Sequence, residues 1–253
     1  MKVLPGNASH IGCRGQQQDA FALSDFADTD FIEHGGYLAV LADGIGGLLH
    51  GADAANLAVS HFVTEYLRKF PEQSVEDTLD AALDAANEAV CNAARRLWCA
   101  GQMGTTLVAA LIHRSHLYWR AVGDSHLYLC RDGRLSQLNA DHNFARELQI
   151  LVNAGIMTQQ EADNHPERKA LQCFLGLESL PEIERNRWPL TLQEGDILLL
   201  CSDGIDSVLS AEEIMTCLCH VPMIAAQLLN DRVLAKRLPF QDNLTAIVLA
   251  YRP

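Results

Sequence analysis

Apolar residues fall along this chain in a few distinct rhythms, and each rhythm predicts an element. Residues 37–42 are apolar without alternation, as in a strand buried on both faces. Over 52–69, Ala55, Val59, Phe62 and Tyr66 recur at steps of four and three, which predicts an amphipathic helix. Pro71 breaks it. Ser74 suits the N-cap of a second helix over 75–98, with Glu76 and Asp77 favourable in its first turn. Leu79, Leu83, Ala86, Val90, Ala93 and Leu97 form its packing stripe. Two long helices with a short link predict an antiparallel pair lying on a sheet.

From Gly104 the pattern shortens to strands, at 105–112 and 116–122. Two more, 126–131 and 134–138, flank Asp132-Gly133, a two-residue hairpin signal. A short strand at 19–24, a buried one at 197–201, helices at 212–219 and 223–235 and a last strand at 244–251 complete the reading. Residues 139–176 are mixed and polar, a surface excursion of the kind that shapes substrate access. Strands group in hairpins rather than alternating with helices, so an antiparallel α+β fold is expected over a doubly wound sheet.

Composition narrows the function. With 253 residues and 49% hydrophobic content, the chain can bury one large core, and no linker or repeat divides it. A formal net charge of −13 and a pI near 5.1 exclude a binder of nucleic-acid backbones. Residues 1–12 lack the apolar centre of a signal peptide, and no apolar run approaches the ~20 residues of a membrane span. A soluble cytoplasmic protein is expected. None of the eight cysteines forms a Cys-x-x-Cys pair, so buried reduced thiols are the natural reading.

Acids recur at strand ends. Asp43 follows the run 37–42, Asp203 follows 197–201, and Asp124 follows Ala121-Val122-Gly123. Asp242 precedes the last strand and Asp19 opens the first. After Asp43 come Gly44, Gly46, Gly47 and Gly51, then a helix start near Ala52. Strand, acid, glycine loop and helix can present a carboxylate and a backbone carbonyl to a metal ion; an ordinary Asp-Gly turn is the other reading of Asp43-Gly44. Five aspartates on one rim would raise one another's pKa values. A divalent cation relieves that repulsion, and oxygen ligands without a His or Cys cluster indicate Mg²⁺ or Mn²⁺.

These segments carry a family resemblance. Arg14-Gly-Gln-Gln-Gln-Asp19, Asp43-Gly-Ile-Gly-Gly47 with Gly51, Gly104-Thr-Thr106, Val122-Gly-Asp-Ser125, Arg131-Asp-Gly133, Asp141-His142, Leu151-Val-Asn-Ala-Gly155, His165-Pro-Glu-Arg168, Leu200-Cys-Ser-Asp-Gly204 and Asp242-Asn243 occur in this order along nearly the whole chain. The set resembles the metal-dependent Ser/Thr protein phosphatases of type 2C (PPM) in their compact bacterial form. The resemblance implies a single domain over 1–253, with a four-layer αββα sandwich of two antiparallel sheets between helix pairs and a flap over about 142–176. It implies that Asp43 bridges two Mn²⁺ or Mg²⁺ ions, joined by the Gly44 carbonyl, Asp203 and Asp242. Asp19 would hold a metal-bound water, Asp124 would share a weaker third ion with Asp203, and Arg14 would bind the phosphate. The implied reaction is hydrolysis of phosphoserine and phosphothreonine in proteins, in line and without a phosphoenzyme, by a hydroxide bridging the metals. The implied partners are phosphoproteins and a cognate Ser/Thr kinase, with no nucleic acid and no membrane, and the protein is expected to be a monomer.

The chain departs from the family pattern at several positions. Gln17 stands for a usual Asn, Leu48 for a usual His, and Ala52 for a usual Glu. His126 and Cys173 each stand for a frequent Arg, and Ile45 for a residue that varies between branches. No implied metal ligand is lost. Two other readings compete: a catalytically impaired phosphoprotein-binding module of the same fold, and a structural acidic protein whose aspartates are solvated turn residues.

Overall fold

In the computed structural model, which describes residues 2–252, the chain opens with β1 (Lys2–His10) and β2 (Asp19–Leu23). Next come α1 (Thr29–Gly35), β3 (Tyr37–Asp43) and the long helices α2 (Gly51–Tyr66) and α3 (Val75–Arg96). Two hairpins follow: β4 (Leu107–His113) with β5 (His116–Val122), and β6 (His126–Arg131) with β7 (Arg134–Gln137). α4 (Ala145–Asn153) and α5 (Gln159–Asp163) occupy the excursion, and the two-residue strands β8 (Glu184–Arg185) and β9 (Leu190–Thr191) lead back from it. β10 (Ile197–Cys201), α6 (Asp203–Asp206), α7 (Ala211–Leu218), α8 (Pro222–Ala235) and β11 (Leu244–Arg252) complete the order.

The strands form two sheets with antiparallel pairing throughout. One runs β1-β11-β10-β6-β7, the other β2-β3-β4-β5-β8, with β9 also on β5. Alternate residues of β3 explain why its sequence shows no alternation. Leu38, Val40 and Ala42 pack with Phe62, Tyr66, Leu79 and Leu83 of α2 and α3. Ala39 and Leu41 pack between the sheets with Leu198, Leu200, Ile247 and Leu249. On the far side, Leu199, Cys201, Ala246 and Val248 meet Ile214 of α7 and Leu229 of α8. The result is the expected four-layer αββα sandwich, with three apolar layers between its four tiers. Each fully buried Leu or Phe contributes about 1.5–3 kcal/mol to it. Among the described residues no helix is long and apolar enough to cross a membrane.

Ser74 caps α3 as its sequence suggests, accepting the Asp77 N–H at 3.1 Å. The stripe read through Leu97 stops one turn early: α3 ends at Arg96, Leu97 is 49% exposed and Trp98 95% exposed. The strand predicted from Thr105 begins only at Leu107. β1 has no sequence signal because Pro5, Gly6 and Asn7 are poor strand formers. It is an edge strand, paired with β11 alone, where a missing N–H is tolerated.

Gly6 serves a second purpose. A Cβ there would stand 2.1 Å from the carbonyl carbon of Pro222, the first residue of α8. The helix lies directly on this strand. Gly6→Ala should therefore push α8 off the sheet and cost about 1–3 kcal/mol. Thermal unfolding would show a Tm lowered by roughly 2–4 °C per kcal/mol, and an unchanged Tm would show that α8 has room to move.

Candidate metal centre

The β2–β3 register places Asp19 opposite Asp43, at the rim where β5, β10 and β11 also bring their acidic ends. Asp43 is anchored through its backbone. Its N–H donates to Thr106 Oγ1 (2.9 Å), and its carbonyl accepts from the Thr106 N–H (2.8 Å) and Thr105 Oγ1 (2.8 Å). The two threonines are thus engaged in holding this strand end rather than extending β4. Thr106 Oγ1 also meets Ser125 Oγ at 2.6 Å, which ties the turn bearing Asp124 to the Asp43 backbone. Gly44 leaves no space for a side chain: a Cβ would lie 2.3 Å from the Gly51 carbonyl oxygen.

Asp203 is the first residue of α6. Ser202, just before it, donates its hydroxyl to Asp19 Oδ2 at 2.8 Å and accepts the Thr245 N–H at 3.0 Å. Asn243 secures the loop that carries Arg14. Its Oδ1 accepts the Gln18 N–H (2.8 Å), and its Nδ2 donates to the carbonyls of Ile11 (2.8 Å) and Gln16 (3.1 Å). Arg14 Nη2 then lies 2.6 Å from Asp242 Oδ2.

One cavity of about 310 Å³ is lined by Asp43, Asp124, Asp203, Asp242 and Arg14, together with Lys169. Gly44 stands between Asp43 and Ile45, both of which line it. Asp19 is buried behind the rim, 7% exposed, and its Oδ1 has no hydrogen-bond partner. All the predicted site residues therefore meet at this rim. Two residues were not singled out in the sequence. Lys169 sits in the excursion with no periodic or motif signal beyond the adjacent His165-Pro-Glu-Arg168. Asn243 carries no signal of its own beyond its place beside Asp242.

The electrostatics are those of crowded, desolvated acids. Burial, then the neighbouring Asp19, Asp203, Asp124 and Asp242, pushes Asp43 well above the ordinary carboxylate range. Burial and Asp203 carry Asp124 up to about 7. Burial carries Asp19 up to about 6, against the lowering effect of the Thr245 and Ser202 side chains beside it. Asp203 is raised by burial and by Asp242 and Asp206. Beside them, His126 is held up at about 10: burial favours the neutral ring, but hydrogen bonds to Asp141 and Asp206 outweigh it.

These residues fit a hard divalent cation. The donors are all oxygen, the negative charge is under-compensated, and a buried carboxylate oxygen of Asp19 is unmatched. The acids do not form a closed cage on their own. Among the described residues no three His, Cys, Asp or Glu side chains are grouped tightly enough to enclose an ion, and Arg14 holds Asp242. Gln17 and Cys173, two of the departures from the family resemblance, both find partners nearby. Gln17 accepts the Asp19 N–H (3.2 Å) and donates to Ser9 Oγ (2.7 Å). Cys173 is buried and its thiol faces the Glu182 carbonyl at 3.2 Å.

The chain and its fold have known relatives. The chain is similar to the serine/threonine phosphatase stp of Listeria welshimeri, 32% identical over 179 residues that cover 70% of this chain and 69% of that one. It is similar in structure to the Mycobacterium tuberculosis serine/threonine phosphatase PstP/Ppp, at a TM-score of 0.80 and 30% identity over the whole of both chains. The PstP catalytic domain in complex with two manganese ions gives a TM-score of 0.75 and 30% identity, covering 98% of this chain and 97% of that one. A family model described as protein phosphatase 2C matches residues 7–239. With the family model matched over most of its length, the chain belongs to the protein phosphatase 2C family.

Proposed function

We propose that this chain hydrolyses phosphoserine and phosphothreonine in proteins, using Mn²⁺ or Mg²⁺. The observation that carries the reading is the meeting of Asp43, Asp124, Asp203 and Asp242, from four different strand ends, with Arg14 in one cavity. Asp43, the Gly44 carbonyl, Asp203 and Asp242 would hold two ions, and Asp124 with Asp203 a weaker third. Bound divalent cations supply Lewis acidity, which neutralises phosphate oxygens and lowers the pKa of a water.

The chain's own groups do the rest. Arg14 would leave Asp242 and take two phosphoryl oxygens through its planar fork, the geometry a guanidinium offers best. Lys169, in the lining of the same cavity, would add a second positive charge to phosphate binding. Asp19 Oδ1, buried and unmatched, can accept a proton-bearing group such as a water and orient it. No nucleophilic side chain is needed, so the phosphoryl group passes to water directly.

Residues 1–253 would act as one catalytic domain, with 142–176 as its flap. A monomer acting on phosphoproteins in the cytoplasm, against a Ser/Thr kinase, completes the proposal. Buried thiols such as Cys201 and Cys217 suit that reducing compartment.

The test is phosphate release from a phosphothreonine peptide and from an aryl phosphate, each with and without Mn²⁺. Release with Mn²⁺ only supports the reading, and none in either condition favours a phosphoprotein-binding module. Arg14→Ala should raise KM on the peptide by roughly 10-fold or more, the worth of a charge-assisted hydrogen bond, while Mn²⁺ affinity holds. Lys169→Ala should do the same more weakly. A kcat/KM unchanged in Arg14→Ala would remove the arginine from phosphate binding.

A further inference from the structure

α6 is a single turn. It begins at Asp203 and ends at Asp206, and its N-cap Ser202 gives its hydroxyl to Asp19 rather than to the turn. So short a helix has little internal hydrogen bonding to fix its direction. Its direction therefore depends on what it packs against, Ile205 in the layer beneath α7 and α8 and Gly204 against the Asn243 carbonyl, and on what grips its last residue. Asp206 Oδ2 is approached by His126 Nδ1, by the Tyr128 hydroxyl at 3.0 Å and by Cys201 Sγ at 3.4 Å.

The other face of the same imidazole is engaged too. His126 Nε2 lies 2.7 Å from Asp141 Oδ1, which also accepts from Gln137 Nε2 at 3.0 Å. Asp141 marks the root of the excursion. The next residue, His142, donates its N–H to the Gly123 carbonyl (3.0 Å) and accepts the Gln172 N–H on its own carbonyl (2.8 Å), so the segment leaves and returns at this point. His126 itself opens β6, two residues after Asp124, and is paired in register with Cys201. One ring thus touches the strand after Asp124, the turn that carries Asp203 and the root of the segment that carries Lys169.

A neutral imidazole has one N–H and would turn a lone pair on one of the two carboxylates. A ring that donates from both nitrogens satisfies both. An arginine at this position could do the same with its several donors.

We propose that His126 is a positioning residue: through Asp206 it fixes the direction of α6, and so of Asp203, and through Asp141 it fixes the root of the 142–176 segment over the rim. The proposal rests on the phosphatase reading of the rim, and its sign separates it from a plain charge effect. Removing a cation beside acidic ligands would, by Coulomb's law alone, tighten Mn²⁺. Loss of positioning would weaken it.

The experiment compares the full chain with His126→Gln and His126→Arg. It reads Mn²⁺ binding by calorimetry, kcat and KM on a phosphothreonine peptide and an aryl phosphate, and the Tm of the metal-free proteins. His126→Gln should bind Mn²⁺ about 10-fold more weakly, as for loss of a group that orients a metal ligand. Its kcat should fall on both substrates, and its KM should rise on the peptide, which spans the flap. His126→Arg should recover affinity and kcat to within about threefold of the original protein. Mn²⁺ affinity that is unchanged or tighter in His126→Gln overturns the proposal. So does a loss that follows Tm and is not restored by arginine. If the unaltered protein releases no phosphate with Mn²⁺, the phosphatase reading fails, and Mn²⁺ binding still decides the positioning role of His126.

Discussion

The Asp43→Asn protein is expected to fold, to bind Mn²⁺ poorly and to lose turnover by about 10³-fold or more, which corresponds to roughly 4 kcal/mol of transition-state stabilisation. The substitution keeps shape and removes charge. The backbone of Asp43 is held by Thr105 and Thr106 irrespective of its side chain, so the strand end should stay in place. The carboxylate itself is ionised only at a cost, since burial and four neighbouring acids disfavour its charge. A neutral amide escapes that cost. The metal-free Asp43→Asn protein should therefore melt at or above the temperature of the metal-free original while being inactive. A variant that is inactive because it is unfolded would miss the point, and one that keeps turnover would remove Asp43 from the centre of the chemistry.

The second large effect is metal removal. Chelation should bring phosphate release close to zero, and Mn²⁺ or Mg²⁺ should restore it. Stability should follow pH in a defined sense. Asp124 and Asp19 titrate near 7 and 6 in the fold, against about 3.9 in an unfolded chain. Between those values the folded protein binds more protons than the unfolded one, so the stability of the metal-free protein falls as pH rises through about 4 to 7. His126, held at about 10, acts in the same sense above its unfolded value near 6.5.

The metal-free Tm should therefore be lower at pH 8 than at pH 5, by several degrees on the scale of roughly 2–4 °C per kcal/mol. Mn²⁺ binds the ionised ligands of the folded state and displaces their protons, so the rise in Tm it produces should be larger at pH 8 than at pH 5. Scanning calorimetry at both pH values with and without Mn²⁺ decides. A Tm independent of both pH and Mn²⁺ would show that the rim acids are solvated turn residues.

Much of this was legible in the chain. A charged residue at the end of an apolar run stands out, as Asp43 and Asp203 do, and Asp242 stands just before another such run. The antiparallel α+β class follows from strands grouped in hairpins and two striped helices, whereas the four layers are expected only from the family resemblance. What escaped depends on partners far away in sequence. β1 carries Pro5, Gly6 and Asn7 and is held by β11. β8 and β9 are two residues each, too short for any periodicity. Thr105 reads as a strand residue until its hydroxyl is seen on the Asp43 carbonyl. Lys169 and Asp206 look like ordinary polar residues, since only the tertiary fold brings one into the cavity and the other onto His126. The Arg14–Asp242 pair joins residues 228 positions apart, a separation no local pattern reports.

β11 lies between β1 and β10 in its sheet, with Lys2 opposite Arg252 and Ile197 opposite Ala250. It is also the last of the described strands to leave the ribosome. Until it arrives, β1 and β10 each show an unpaired edge, the kind of surface that recruits other chains. Asp242, and the Asn243 that fastens the Arg14 loop, arrive with it. Closing so long a loop to place a central strand makes for slow, non-local folding. The nascent chain thus has neither a finished sheet nor a finished rim until β11 is free, and a product truncated before Asp242 would be a client for chaperones rather than a smaller phosphatase.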